Sequence, residues 1–456
     1  MSSTSAAALA AVFKAYDVRG TVPDQIDDDL ARAVGGAFVQ VTGAAGTGVV
    51  VGHDMRPSSP GMARAFAEGA AAAGADVTLI GLASTDQLYF ASGTLGLPGA
   101  MFTASHNPAQ YNGIKMCRAH AVPLGMDTGL ADVRDLVAAG DLPAAAQPGR
   151  ITERDLLEDY AQFLLKLAPV TGRRLSVVVD AGNGMAGHTA PAVLGHLDLD
   201  VTPMYYKLDG TFPHHEANPI EPANLADLQA KVRETGADIG LAFDGDADRC
   251  FIVDERGEIV SPSVLTGLIA ARELAREPGS AVIHNLITSR AVPELVTELG
   301  GTPVRTRVGH SFIKATMAET DAVFGGEHSG HFYFRDFWRA DSGMLAALHV
   351  LAALAETERP LSDLLAEFSR YVATGEINST VADQAAVVAE IERVYGSRDG
   401  VSLDHLDGLT VTHEDWWFNV RPSNTEPLLR LNAEAGDQAT LDRLRDDVLA
   451  TIRRDS

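Results

Sequence analysis

The sequence predicts an α/β protein made of three related α/β domains followed by a smaller C-terminal α+β domain. Three observations carry this expectation. The chain has 456 residues, which at roughly 150 residues per domain is too long for one core and suits two to four. Three stretches, GTGVVVGHDMR, RLSVVVDAGNGMAG and GSAVIHNLITSRAV, each pass from an apolar, β-branched run through a polar turn into an Ala/Leu-rich segment. After about Arg370 the texture changes to alternating apolar and polar residues.

Each of the three stretches reads as strand, loop and helix, and each is followed by a second apolar run, at 77–80, 201–204 and 304–306. Val77, Val201 and Val304 lie 27, 23 and 22 residues beyond Val50, Val178 and Val282, a spacing that suits a βαβ crossover. Pro, Gly and charged residues gather near Pro148 and Glu255, so the expected domains are 1–148, 149–255, 256–370 and 371–456. In the last of these, ATGEINSTVAD, a helix-like AAVVAEIERVYG, then DGLTVTHEDWWFNVRPS and LLRLNAEA predict antiparallel strands with helices around them.

Composition narrows the class of function. Hydrophobic residues make up 46% and charged residues 21%, values of a soluble globular chain. The net charge of −25 repels polyanions, so nucleic acid and anionic membranes are poor partners, and an anionic ligand needs a local cluster of Arg and Lys. Cys117 and Cys250 are too few for a disulfide framework and have no zinc-ligand spacing, which fits a reducing cytoplasm. The N-terminal small-residue run lacks a basic start and is broken at Lys14, and no segment reaches ~18 uninterrupted apolar residues, so neither a secretory signal nor a membrane span is expected.

Four stretches carry chemistry. FTASHNPAQYNGIK, residues 102–115, is a polar loop directly after apolar sequence; Ser105 could accept a phosphoryl group there, with Lys115 offsetting its charge and Asn107-Pro108 fixing a turn. In DIGLAFDGDADRC an apolar run ends in Asp244, Asp246 and Asp248, alternate carboxylates that converge on a hard cation such as Mg²⁺, with Arg249 beside them to hold a phosphate. The EF-hand pattern for Ca²⁺ is incomplete, because its closing Glu is missing. FGGEHSGHFYF places Glu327, His328, Ser329 and His331 between apolar runs, where Glu and Ser can bind sugar hydroxyls. RPSNTEP offers Arg421, Ser423, Asn424 and Thr425, a cation with the hydroxyl, amide and backbone donors that grip a phosphate dianion. Arg19 in FKAYDVRG, and His310 with Lys314 in GHSFIK, stand in similar turn-like settings.

In this order, FKAYDVRG, TASHNPAQYNGIK, DGDADR, GHSFIK, GGEHSGH and RPSNTEP resemble the α-D-phosphohexomutase superfamily, in its bacterial phosphomannomutase/phosphoglucomutase branch. The resemblance implies mixed-sheet α/β domains and the C-terminal domain arranged around a central cleft. It implies that Ser105 carries the phosphoryl group and that Asp244, Asp246 and Asp248 hold Mg²⁺ together with an oxygen of that phosphoserine. Arg19, Lys115 and Arg249 would line the transfer site. Tyr16, Glu327 and Ser329 would meet the sugar, His310 and His331 would lie near it, and His331 would carry a proton. Arg421, Ser423, Asn424 and Thr425 would grip the phosphate that is not transferred. A mannose phosphate would thus be isomerised through a 1,6-bisphosphate that turns end for end, with hexose 1,6-bisphosphate as activator. The expected enzyme is a cytoplasmic monomer or weak homodimer.

Two departures stand out. Ala247 replaces a glycine common in relatives, with the carboxylate spacing unchanged and no loss expected. Ile287 and Thr288 stand where several relatives carry a lysine near the substrate, a role that would fall to Arg290, His310 or a residue the sequence does not reveal. GEHSG and SNTEP resemble the mannose/glucose members more than the glucosamine branch, so phosphoglucomutase and phosphoglucosamine mutase are the neighbouring alternatives. From other classes come an aspartyl-phosphate, haloacid-dehalogenase-like phosphatase using Asp244, and a phosphosugar-binding protein without turnover.

Overall fold

A computed structural model describes residues 6–140, 142, 144–422 and 428–454, with the side chains of His310 and Ser311 outside the description. Four sheets follow one another along the chain. The first contains β1 (Val18–Thr21), β2 (Gly48–His53), β3 (Asp76–Leu82), β4 (Gly99–Phe102), β5 (Tyr111–Arg118), β6 (Val122–Pro123) and β7 (Ile151–Glu153). Their order is β1-β5-β4-β2-β3-β7, with β6 on β5. The second runs β12-β11-β10-β8-β9 from β8 (Leu175–Asp180), β9 (Leu199–Met204), β10 (Ile239–Phe243), β11 (Cys250–Asp254) and β12 (Ile259–Val260). The third runs β14-β13-β15-β16-β17 from β13 (Ala281–Asn285), β14 (Thr302–Thr306), β15 (Phe324–Gly326), β16 (Phe332–Phe334) and β17 (Ala340–Asp341).

One kernel recurs in all three. The VVV-type run forms a central strand (β2, β8, β13), the second apolar run pairs with it in parallel on one side (β3, β9, β14), and a third strand pairs in parallel on the other (β4, β10, β15). The chain then reverses into an antiparallel partner (β5, β11, β16), which makes each sheet mixed, as expected. Helices Ser59–Ala72, Ala186–Leu194 and Ala291–Glu298 supply the first crossovers. The central strands are almost wholly apolar because both faces are covered. The loops that follow the third strands are topologically equivalent, and they are the loops that contain Ser105, Asp244 to Asp248, and Glu327 to His331. The strand β7, just beyond Pro148, still pairs in parallel with β3.

A single apolar core runs through the first three sheets, joining Val50 and Leu88 to Tyr160 and Phe243 and on to Phe332 and Leu348. At its centre the helix Gly343–Ala355 is buried along its whole length, as GMLAALHVLAALA, apolar on every face, requires. Its cap, Ser342, helps bind three domains together. The carboxylate of Asp86, on the helix Thr85–Leu95, accepts from Ser84 Oγ, from Tyr160 OH at 2.7 Å and from Ser342 Oγ at 2.6 Å.

The fourth sheet is wholly antiparallel, β18-β22-β21-β20-β19, from β18 (Val372–Thr380), β19 (Ser402–Asp404), β20 (Leu409–Thr412), β21 (Trp416–Pro422) and β22 (Leu428–Ala435). Helices Gln384–Tyr395 and Gln438–Ile452 cover it around a core of its own that includes Ile391, Phe418, Leu431 and Leu444. It meets the third domain through a small apolar cluster of Leu286, Ile287 and Trp417. Among the described residues no helix is long and apolar enough to cross a membrane. Both cysteines are buried and free.

Candidate active site

The strand β4 is buried along its length and delivers the chain into a tight loop, where Thr103 Oγ1 accepts from Ser105 N at 2.9 Å. Ser105 adopts φ 50°, a left-handed conformation that costs a non-glycine residue about 1–2 kcal/mol. This turn aims the hydroxyl away from its own sheet. Its Oγ donates to Asp244 Oδ2 at 2.8 Å and lies 3.2 Å from His106 Nδ1. Burial, and then the nearby cations Arg249 and Arg19, push the His106 pKa well below the ordinary histidine value, so its imidazole is neutral.

Asp244, Asp246 and Asp248 are all buried, and one oxygen from each lies within 4.8 Å of the others. Asp246 Oδ1 and Asp248 Oδ1 are buried with no hydrogen-bond partner. Two unpartnered carboxylate oxygens beside a third carboxylate are costly unless a cation meets them, and an all-oxygen set of this kind fits a hard divalent ion. The other oxygens are occupied. Lys115, on β5, places Nζ 2.7 Å from Asp246 Oδ2 and 2.6 Å from Asp248 Oδ2. Thr85 Oγ1 donates to Asp246 Oδ2 at 2.6 Å. Arg249 reaches Asp244 Oδ2 with Nε at 2.9 Å and Nη2 at 2.8 Å.

These contacts drive two chemically identical acids, Asp244 and Asp246, in opposite directions. Burial pushes the Asp244 carboxyl up to about 7 against the pull of Arg249, with Asp248 and Asp246 adding to the rise. Burial also acts on Asp246, but Lys115 outweighs it and holds that carboxyl far below the usual range. For Lys115 burial favours the neutral amine, and Asp246 and Asp248 together reverse this, raising its pKa above that of an ordinary lysine. Ala247 keeps the carboxylate spacing as expected, and it sits at φ 60°, a left-handed conformation that strains an alanine and not a glycine.

The third domain closes the site. A backbone bridge pairs Arg249 with His331, so the loops of the second and third domains are directly joined. His331 Nδ1 lies 2.9 Å from Ser329 Oγ, and Nε2 lies 3.8 Å from Asp248 Oδ1. Glu327 is buried and accepts from Tyr333 OH at 2.7 Å, from Gly309 N at 3.2 Å and from Asn285 Nδ2 at 3.3 Å. Lys314 Nζ is 2.7 Å from Asp341 Oδ1 and 4.2 Å from the centre of the Tyr89 ring. Arg19 donates to Ala104 O at 3.2 Å and to the side chains of Asn107 and Asp17. Between these groups lies a cavity of about 300 Å³, lined among others by Tyr16, Arg19, Ser105, Lys115, Arg249 and His331.

From the fourth domain Arg421, at the end of β21, pairs with Glu376 at 2.8 Å. Ser423, Asn424 and Thr425 lie outside the described residues, as does the His310 side chain. Arg290 does not take the part of the missing lysine. Its guanidinium stacks 4.2 Å over the Tyr371 ring and donates to Glu414 O, so it serves the joint between the third and fourth domains. Ile287 is buried against Trp417, which accounts for an apolar residue at that position. Sequence reasoning missed Arg56, Thr85 and Asp341. Arg56 stands in GHDMRPSS at the end of β2, a polar cluster directly after a buried strand, which is a readable signal.

Four family models match in succession: phosphoglucomutase/phosphomannomutase alpha/beta/alpha domain I at 10–142, domain II at 157–257, domain III at 263–371 and the C-terminal domain at 376–451. The chain belongs to the phosphoglucomutase/phosphomannomutase family. It is therefore an isomerase that moves a phosphoryl group within a hexose phosphate. It is 40% identical over 448 residues to the phosphohexose mutases of Xanthomonas campestris pv. campestris, covering 97% of this chain and 99% of the relative. It is 39% identical over 453 residues to the phosphomannomutase of Salmonella typhimurium, with 97% and 99% covered. The crystal structure of a phosphoglucomutase/phosphomannomutase family protein from Burkholderia thailandensis superposes with a TM-score of 0.89 at 34% identity, covering 98% of each chain.

Proposed function

We propose that this enzyme is a phosphomannomutase that interconverts mannose 6-phosphate and mannose 1-phosphate and also accepts glucose phosphates, with Ser105 as the phosphoryl carrier and a hexose 1,6-bisphosphate as the intermediate. The observation that carries this reading is the 2.8 Å contact of Ser105 Oγ with Asp244, one of three converging carboxylates of which two keep unpartnered oxygens.

Phosphoryl transfer asks little covalent chemistry of a protein and much positioning and charge neutralisation. A phosphoserine beside a sugar phosphate sets two near-dianions together, and each pair of unit charges about 4 Å apart repels by about 4 kcal/mol at an effective dielectric of about 20. Asp244, Asp246 and Asp248 would hold Mg²⁺, which when bound would neutralise charge on the transferring group. Lys115, Arg249 and Arg19 supply the remaining positive charge from fixed positions, because each is already held by carboxylates or loop carbonyls. Fixed donors need no reorganisation as charge shifts.

His331, in contact with Ser329 and 3.8 Å from Asp248, would take the proton from the attacking sugar hydroxyl and return it to the leaving oxygen in the reverse step. Glu327 is held by Tyr333, Gly309 and Asn285 and, together with Tyr16 and Ser329, would meet the sugar hydroxyls. The bisphosphate must offer either end to Ser105. Arg421 with Ser423, Asn424 and Thr425 would grip the distal phosphate in both orientations, and His310 would lie near the sugar. The fourth domain has its own core and a small joint, which suits it to open and close over the cleft. Two free cysteines and a net charge of −25 support a cytoplasmic location. We take its functional units as 1–148, 149–255, 256–370 and 371–456.

The test is intact-mass spectrometry after incubation with hexose 1,6-bisphosphate, together with a coupled mutase assay on mannose, glucose and glucosamine 1-phosphates. One phosphoryl on wild type and none on Ser105→Ala, with turnover lost, is expected. A label on Asp244, or full turnover by Ser105→Ala, refutes the reading.

A further inference from the structure

Arg56 is among the largest fully buried side chains of the protein and lies outside the cavity, yet all five of its side-chain N–H donors are engaged. Nη2 donates to Ser105 O at 3.0 Å and to Asn107 O at 2.7 Å, Nη1 donates to Pro108 O at 2.9 Å and Tyr111 O at 3.0 Å, and Nε donates to Asp54 Oδ2 at 3.2 Å. Three of the five acceptors are carbonyls of the loop that presents Ser105, and a fourth, Tyr111 O, opens the strand β5 into which that loop runs. Arg56 is itself fixed: Asp54 Oδ1 accepts from Arg56 N at 2.9 Å and from Ser59 Oγ at 2.6 Å, so the counter-charge is anchored to the helix Ser59–Ala72.

The second domain grips it from the other side. Phe212 places its ring 5.1 Å from the guanidinium carbon, and Gly210 approaches so closely that an added Cβ would lie 2.6 Å from Arg56 Cα. A charged group with no exposure is costly, and burial draws its pKa below that of an ordinary arginine despite Asp54. Packing alone would be served by an apolar side chain; what the guanidinium adds is a planar fork that four inward-facing carbonyls can share. Without it the carbonyls of Ser105 and Asn107 would lose their guanidinium donors, Pro108 O would be left with the bond from Tyr111 N, and the left-handed turn at Ser105 would lose support.

We propose that Arg56 is a positioning residue for phosphoryl transfer: it locks the Ser105 loop onto the first domain and registers it against the second, so that Oγ stays over the carboxylate site. The proposal rests on the reading of Ser105 as the carrier, and the two fail differently. A fully active Ser105→Ala variant would overturn that reading whatever Arg56 does.

The deciding variant is Arg56→Lys, which keeps the charge beside Asp54 but has three donors on one nitrogen and no fork. Folded Arg56→Lys is expected to lose about 100-fold in kcat, with KM and the Mg²⁺ concentration for half-maximal rate within threefold of wild type. Its uptake of phosphoryl from hexose 1,6-bisphosphate, followed by intact mass, should slow in parallel. A kcat within threefold of wild type overturns the proposal, and so does a loss that appears only in KM. If Arg56→Lys does not fold, Asp54→Asn decides. It leaves the four carbonyl bonds in place and loosens their anchor, so kcat should fall about tenfold at unchanged KM, and an unchanged kcat refutes the assignment.

Discussion

Replacing Lys115 by methionine tests whether an ammonium and a divalent ion share the same carboxylates. Nζ lies 2.7 Å from Asp246 and 2.6 Å from Asp248, and 18% of the Lys115 side chain is exposed. Removing one partner of a buried pair costs about 3–5 kcal/mol, and the residual exposure puts this case near the lower figure, about 3 kcal/mol. In EDTA, therefore, Lys115→Met should unfold at a clearly lower urea concentration than wild type. Magnesium should reverse part of this loss. Unit charges about 4 Å apart interact by about 4 kcal/mol at an effective dielectric of about 20, so removing a positive neighbour strengthens ion binding even after most of that is lost to relaxation. Retaining about 1.4 kcal/mol corresponds to tenfold tighter Mg²⁺. The variant should gain more stability from a given Mg²⁺ concentration than wild type does, while kcat falls about 10²–10³-fold for want of a fixed donor. Urea unfolding with EDTA and at a series of Mg²⁺ concentrations, followed by the mutase assay, measures all three. Equal stabilisation of both proteins by Mg²⁺ would refute the shared-carboxylate argument.

Three further outcomes are expected. Burial pushes the Asp86 carboxyl up to about 6, against the hydrogen bonds from Ser342, Ser84 and Tyr160; the folded state thus binds its proton more tightly than the unfolded state, and stability falls as pH rises from about 3.8 to 6. The rise from 3.8 to about 6 is worth about 3 kcal/mol in full, of which about 2.4 kcal/mol falls between pH 4 and 7, so the difference in unfolding free energy between wild type and Asp86→Asn should change by about that smaller amount; a constant difference refutes it. Ala247→Gly relieves a left-handed alanine worth about 1–2 kcal/mol but adds about 0.5–1 kcal/mol of unfolded-chain entropy, so urea unfolding should find it neutral to about 1 kcal/mol more stable, and a loss above about 1 kcal/mol contradicts the strain. Trp417→Ala removes the apolar joint with Ile287 and the 2.8 Å bond from Nε1 to Glu434, so KM should rise at least fivefold while bisphosphate still labels Ser105; an unchanged KM would show that the joint does not govern closure.

The repeated architecture was legible because its signals are local. Val49 to Val51, Val177 to Val179, and Val282 with Ile283 are buried from both sides, and a strand covered on both faces must be apolar throughout. Ser105 and the three Asp were legible for a related reason: they sit on turns directly after such strands, where polarity interrupts a buried run. The place of Arg290 at the domain joint was not legible because its partner, Tyr371, lies in a distant stretch with no motif. Arg56 was missed because its function is defined by what surrounds it. An arginine in a polar turn looks like surface until the loop from Ser105 to Tyr111 and the Phe212 ring enclose it. The cost of Ala247 depends on a dihedral angle that spacing does not reveal.

By itself the amino-acid order determined three copies of one strand pattern, a fourth region of different texture, and the residue types available at each strand end. Those follow from periodicity and turn chemistry within a few residues of chain. The tertiary structure alone decided that the three equivalent loops meet. Ser105 and Asp244 are separated by 139 positions, yet they share a 2.8 Å hydrogen bond because one continuous core fixes the first three sheets relative to one another. It also decided which acid each cation meets, and hence why Asp244 and Asp246 have opposite shifts: electrostatics between buried groups depends on distances of a few ångströms, which only packing sets.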